Sequence, residues 1–301
     1  MKKIRTLIIF LALFILVPFY EIKAEDIQQE YKTGSLINLP KLDLKDNTFI
    51  IDYKYEDVTG DNVKDNIILA GSQNGGIESE DITLIIQNGS SKKYFQLLSG
   101  NYSRIGFGKI FLGDFNGDKA LDMFIRFVGL DNKPYPLYSL ISFKNDKPKY
   151  LFGGENSSPG LSFNIDFVDE YKISVFNRDL NKFYSIDAST KKDTYSNLGI
   201  YDDKGELLKA QPGISQAACE LRPVDIDKDG SYELIGIQSL SGISEKDVVG
   251  YAKSLWKFND NKLKLLSLEI IPYAKPGSSE NMESIVPVSG LIYRFLKPEH
   301  H

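Results

Sequence analysis

Three stretches of this chain place oxygen-bearing side chains at the first, third, fifth and ninth positions of a nine-residue run. They are Asp57-Val-Thr-Gly-Asp-Asn-Val-Lys-Asp65, Asp114-Phe-Asn-Gly-Asp-Lys-Ala-Leu-Asp122 and Asp225-Ile-Asp-Lys-Asp-Gly-Ser-Tyr-Glu233. Such spacing folds carboxylates around one hard divalent cation, and calcium accepts roughly six to eight oxygens at flexible geometry. The candidate ligands are Asp57, Thr59, Asp61 and Asp65 in the first loop and Asp114, Asn116, Asp118 and Asp122 in the second. In the third they are Asp225, Asp227, Asp229 and Glu233, with the main-chain carbonyl of Ser231. The third loop carries a carboxylate at every ligand place and Gly230 at the sixth, where the turn needs an unusual backbone angle. The second substitutes the amide of Asn116, and the first the weaker hydroxyl of Thr59. Up to three Ca2+ ions are expected, bound best at the third loop and least well at the first.

The elements that must position these loops repeat with them. Their first Asp residues are separated by 57 and then 111 positions, the second interval being close to twice the first. One unit has therefore lost its loop. It lies at Asn164-Ile-Asp-Phe-Val-Asp-Glu-Tyr-Lys-Ile-Ser-Val-Phe176, where Asp166, Val168, Glu170 and Ser174 occupy the ligand places and break the pattern. Each loop runs into a short β-type segment, such as Asn66-Ile-Ile-Leu-Ala70 or Leu234-Ile-Gly-Ile-Gln238, too short and too β-branched for a helix. Beyond it come two apolar runs joined by a polar turn: Asn88-Gly89, Asn145-Asp146 and Asp260-Asn261, residues that accept the positive φ of hairpin turns. In the unit without a loop, Tyr184-Ser-Ile-Asp187 stands in the hairpin's place.

The expected fold is all-β: a β-propeller-like array of about four four-stranded blades, stacked radially. The blades are set at residues 46–100, 101–155, 156–214 and 215–275, within a domain spanning 46–275. The segment from Thr48 to Tyr53 is expected to close the ring against the last blade. At this point the chain resembles the FG-GAP or VCBS-type repeats of integrin-like propellers and exported bacterial proteins. The resemblance rests on Phe107-Gly108 leading into Gly113-Asp114-Phe-Asn-Gly-Asp118, and on the Asp-x-Asp-x-Asp-Gly run that ends at Glu233. It covers about residues 46 to 270 and implies the fold and the calcium, but no particular activity. Short exported proteins of this arrangement are similar to ones from Gram-positive spore-forming bacteria, some associated with the spore envelope.

At the N-terminus Lys2, Lys3 and Arg5 precede an apolar run over 7–19, too short to cross a bilayer and laid out as a secretory signal over 1–24. Residues 25–45 are read as a linker and 276–301 as an extension whose terminal His300 and His301 form a tail. The whole chain carries 36 Lys and Arg against 41 Asp and Glu. Loss of residues 1–24 removes four of the former and one of the latter, leaving a net charge of −8. An acidic chain without basic blocks does not suit nucleic acid or anionic membrane, and no stable membrane insertion is expected after the signal is removed. A single Cys219 excludes an intramolecular disulfide and reads as a small buried side chain.

Histidine occurs only at the extreme end, which removes the usual general base, and no Gly-rich phosphate loop follows a strand. Trp256 reads as core rather than as a sugar-stacking surface. The loops 71–81, 129–136 and 239–247 are expected to gather on one face, where a rigid scaffold presents binding residues. These observations predict a secreted calcium-binding module that binds a protein or polysaccharide at the cell or spore surface. The alternatives are a structural envelope component of the spore coat or cell wall without a discrete ligand, and a carbohydrate-active enzyme with paired carboxylates.

Overall fold

The computed structural model describes residues 31–75, 78–98, 105–129, 136–153, 160–259 and 262–273, apart from the side chains of 217–219. The signal segment, most of the loop 129–136, the turn Asp260-Asn261, the side chain of Cys219 and the extension 276–301 lie outside them. The described residues from Lys32 onward belong to one compact unit. Among them no helix is long and apolar enough to cross a membrane.

The protein is mostly β, as expected, and builds four antiparallel sheets. The first contains β1 (Thr48–Glu56), β2 (Asp65–Ser72), β3 (Glu80–Gln87) and β4 (Tyr94–Leu97) in that spatial order. The second repeats the arrangement with β5 (Ile105–Gly113), β6 (Asp122–Gly129), β7 (Leu137–Ser142) and β8 (Lys149–Gly153). The third has only β9 (Phe163–Val168), β10 (Lys172–Asn177) and β11 (Lys182–Asp187), followed by the short helix α1 (Lys192–Asn197). The fourth is built from β12 (Ile214–Val224), β13 (Glu233–Ser241), β14 (Val248–Asn259) and β15 (Lys262–Pro272).

Strand periodicity of two decides how these sheets pack. In β6, Met123, Ile125 and Phe127 join Ile67, Leu69, Leu84 and Ile86 in a core between the first and second sheets. Phe124, on the other face, joins Phe115, Tyr138 and Leu140 against Leu221, Leu234 and Phe258 of the fourth sheet. The fourth sheet in turn shares a core with the third, where Leu240, Val249 and Ala252 meet Phe163, Ile165, Phe167, Ile173, Val175 and Ile186. In β9 the alternation is clean: those three apolar residues are buried while Asn164, Asp166 and Val168 face solvent.

This packing corrects the expected propeller. Blades of a propeller pack in chain order, whereas the buried clusters set the second sheet against the fourth rather than the third and, among the described residues, the third against the fourth alone. No closed barrel or propeller is found among the described residues. The segment from Thr48 to Tyr53 does not close a ring either. It is part of β1, which pairs with β2 in the first sheet and takes residues 34–37 alongside it through the bonds Gly34 N–H to Ile50 O and Ile37 N–H to Thr48 O. The hairpin between β3 and β4 is also longer than the Asn88-Gly89 dipeptide suggests. Asn88 caps it with its side-chain oxygen, which accepts the N–H groups of Ser90 and Ser91.

In the third sheet α1 takes the place of a fourth strand. Its Tyr195 is fully buried, packs edge-on against Phe167 and donates to Asp247 at 2.9 Å. Asp247 also accepts the ammonium of Lys191 and the N–H of Ile243, so the turn after β13 is fastened to the helix.

Core substitutions should separate cleanly from surface ones. Phe143, fully buried and edge-on to Phe95 at 5.0 Å, should lose about 3–5 kcal/mol when changed to Ala. Leu208, 60% exposed, should lose about 0.5 kcal/mol or less. Urea denaturation of the two variants measures the difference.

Candidate functional site

Each acidic loop is the connection between the first two strands of a four-stranded sheet. The residue before each loop pairs with its ninth residue: Glu56 with Asp65, Gly113 with Asp122 and Val224 with Glu233. The ninth carboxylate accepts the N–H of the second residue in all three, from Val58 at 2.9 Å, Phe115 at 2.9 Å and Ile226 at 3.2 Å. The first carboxylate accepts the N–H of the sixth, from Asn62 at 2.8 Å, Lys119 at 2.7 Å and Gly230 at 3.1 Å. The fifth accepts that of the seventh, from Val63, Ala120 and Ser231 at 2.7 to 2.9 Å. One hydrogen-bond scaffold is thus drawn three times with different side chains.

That scaffold demands left-handed backbone at the fourth and sixth residues. Gly60, Gly117 and Lys228 take it at the fourth, with φ of 78°, 75° and 59°. Asn62, Lys119 and Gly230 take it at the sixth, with φ of 66°, 67° and 87°. Lys119 and Lys228 pay the Cβ penalty of about 1–2 kcal/mol that glycine escapes.

The loops are neighbours. Asn145, in the turn after β7, donates its N–H to Thr59 O at 2.9 Å, and Lys144 donates to the main-chain oxygen of Asp118, which ties the first loop to the second. Tyr232 donates its N–H to Asp114 O at 2.7 Å, and Asp114 forms a parallel bridge with Ser231, which ties the second to the third. Gly113 lets this happen, because a Cβ there would stand 2.7 Å from the Tyr232 ring.

The loops differ in what remains free for a cation. In the first, both oxygens of Asp65 are engaged by N–H groups, those of Val58 and Thr59 on one and Gly89 on the other. The Thr59 hydroxyl turns to Asp57, and Asp61 accepts the Ser90 hydroxyl at 2.6 Å. In the second, Asn116 spends its oxygen on the Asp118 N–H and its NH2 group on Asp122 at 3.4 Å. In the third, carboxylate oxygens of Asp225, Asp227 and Asp229 lie within 4.8 Å of one another. One oxygen of Asp225 is shut off from solvent and has no hydrogen-bond partner. A hard oxygen set with an orphaned carboxylate oxygen fits a divalent cation such as calcium. Among the described residues the acids of the first and second loops do not come together at that spacing.

Sequence reasoning missed the side chains that meet the fifth residue from outside. These are the Ser90 hydroxyl in the first loop, the Lys144 ammonium 3.5 Å from Asp118 in the second, and Lys257 in the third. Lys257 projects from β14, 2.6 Å from Glu233, 3.3 Å from Asp229 and 3.6 Å from Asp227. The hydrogen bond to Glu233 holds its ammonium above the ordinary lysine range. A charge inside the apolar run Ser254-Leu-Trp-Lys-Phe258 was the available signal. Trp256 itself is partly buried between the cores and donates its ring N–H to Ser254 at 2.8 Å.

Comparison with known proteins places the chain in a family. Residues 161–271 match the YybI C-terminal domain. The uncharacterized protein YybI of Bacillus subtilis (strain 168) is 30% identical over 209 residues, which cover 68% of this chain and 78% of that protein. The chain belongs to the YybI family. No solved structure matches it. The FG-GAP or VCBS resemblance is therefore corrected. The acid spacing that carried it is a local loop signature, which different folds can share, and the match is to a YybI domain instead. That domain takes in the third and fourth sheets and the third acidic loop, while the first two loops precede it.

Protonation should reveal the burial of the second loop. Asp122 is fully buried, and burial pushes its carboxyl up to about 6, against the opposing hydrogen bond from Phe115 N–H. Burial also raises Asp65. A carboxyl raised on folding binds its proton more tightly in the folded state, so its contribution is fully present below the unfolded value near 4 and is lost as pH rises through about 6. Without added cation, Asp122→Asn should flatten the pH dependence of stability by about 2 kcal/mol between pH 4 and 7. Urea titrations of both proteins across that range check it.

Proposed function

We propose that the chain is an exported, calcium-binding β-protein that works as a binding module for a protein or polysaccharide at the cell or spore surface. Calcium serves as a staple for the strand connections and takes no part in chemistry. The observation that carries this reading is the third loop, where Asp225, Asp227 and Asp229 converge and Asp225 presents a buried oxygen with no partner. Glu233 and the Ser231 carbonyl are the remaining ligand places of the loop; Glu233 itself lies outside that converging group and is engaged by the Ile226 N–H and the Lys257 ammonium. The second loop is the next candidate and the first the weakest, since Asp65 is already engaged by three backbone N–H groups.

A staple fits the chemistry of the loops better than a catalytic ion. Catalytic metals keep a coordination position open beside a proton-transfer group. Here every carboxylate also holds the loop's own N–H groups, so its position is set by folding rather than by a substrate. Export supplies the calcium. The first two dozen residues, with their basic start, apolar run and polar flank, are read as a removable signal.

Two measurements test this. A site whose dissociation constant is about a hundredth of the ambient calcium stabilises the fold by about 2.7 kcal/mol. Chelation should lower the melting temperature of the full chain measurably, and Asp229→Asn should abolish most of that shift. A melting temperature indifferent to chelator overturns the calcium reading. Intact-mass analysis of the protein recovered from medium or envelope should find residues 1–24 removed; a species starting at Met1 overturns the cleaved-signal reading.

A further inference from the structure

We infer that Lys257 is a tethered competitor for the cation of the third loop: its ammonium occupies the place the cation takes and must leave when the cation enters. The inference rests on the calcium reading above. An ammonium is a compact point charge that donates in three directions, and this one faces Glu233 at 2.6 Å, Asp229 at 3.3 Å and Asp227 at 3.6 Å. A calcium ion needs oxygens at about 2.3–2.6 Å. Two cations cannot share one set of carboxylates at those distances without strong repulsion. The side chain is 27% exposed on a four-carbon stem, so it can swing to solvent while β14 stays in place. The orphaned oxygen of Asp225 shows that the ammonium does not satisfy the whole site.

The exchange has two consequences. Without the cation, Lys257 offsets the mutual repulsion of Asp225, Asp227, Asp229 and Glu233 and keeps the connection between β12 and β13 folded. With it, part of the binding free energy is spent on expelling the ammonium, so the apparent affinity is lower than the oxygen set alone would give. The neighbouring loops carry this arrangement only in part: the first meets its fifth residue with the neutral Ser90 hydroxyl, and in the second Lys144 stands 3.5 Å from the Asp118 carboxylate alone while donating to that residue's main-chain oxygen.

Calorimetric titration of the full chain with calcium, after chelator treatment, tests the exchange. Lys257→Met should lower the dissociation constant of the third-loop site about tenfold, the effect of removing one charge pair of about 1.4 kcal/mol, while lowering the cation-free melting temperature. Lys257→Arg, which keeps the charge and the fold, should bind no tighter than wild type. Lys182→Met, which removes a charge from β11 that makes no ion pair with the third loop's acids, should leave the affinity within about twofold, since unpaired surface charges contribute little. Wild type that binds calcium, with Lys257→Met binding equally or more weakly, overturns the competitor and leaves the calcium reading standing. Absence of binding in both proteins at the third loop overturns both.

Discussion

A carboxylate at the start of the second strand of a sheet, reaching back to the N–H of the loop's second residue, is the constraint on which the three complete units depend. Asp65, Asp122 and Glu233 each occupy this place, and each is buried. Withdrawing a carboxylate from water is costly unless hydrogen bonds replace its hydration. The bond therefore fixes the loop in one conformation, since any other leaves both the carboxylate and the N–H unpaired. From it follow the register of the first strand pair, the left-handed backbone at the fourth and sixth residues and, in the first two loops though not at Ile226 of the third, which is 52% exposed, the inward aim of the second residue. Val58 and Phe115 carry that aim into the cores, with essentially no exposure.

The third sheet shows what happens without the constraint. Val168 pairs with Lys172 across a three-residue turn in which Glu170 and Tyr171 take positive φ, and no carboxylate reaches back. The unit also lacks a fourth strand, and α1 fills its core with Tyr195. Where the other units have the carboxylate-to-N–H bond, this one has aromatic packing among Phe167, Tyr171, Tyr195 and Tyr201. Tyr201 adds hydrogen bonds to the carbonyls of Val168 and Lys172, across the turn where the acidic loop would stand.

Much of the local structure was legible in the sequence. Short β-branched runs announce strands because a helix of that length would be neither amphipathic nor stable, and the loop spacing announces carboxylates that face one another. The packing order was not legible. Phe124 and Leu140 would bury equally well against any apolar sheet face, and nothing in their spacing says that Leu221, Leu234 and Phe258 meet them rather than a residue of the next unit. The same limit hid Lys257. Its neighbours in the run mark a strand, but which acids it faces follows from the registry of β14 with β13 and of β13 with the loop, both set by tertiary contacts.

The loops differ in how far the ninth carboxylate is closed by backbone: Asp122 gives one oxygen to the Phe115 N–H and the other to the side chain of Asn116, whereas Asp65 is closed on both sides. Asp65 is short, and its two oxygens end among three N–H groups, one of them from Gly89, whose lack of a Cβ admits the main chain of Lys64 beside it. That carboxylate has no oxygen to turn toward the loop centre. Glu233 is longer by one methylene, and its oxygens part company: one keeps the Ile226 N–H, the other turns to Lys257. The third loop thus keeps a carboxylate oxygen committed only to a side chain, here a charged one, and a side chain can move where a backbone N–H cannot. Convergence of three acids, an orphaned Asp225 oxygen and a displaceable partner on Glu233 occur together in this loop, and each traces to a residue type at a fixed place in the same nine-residue scaffold.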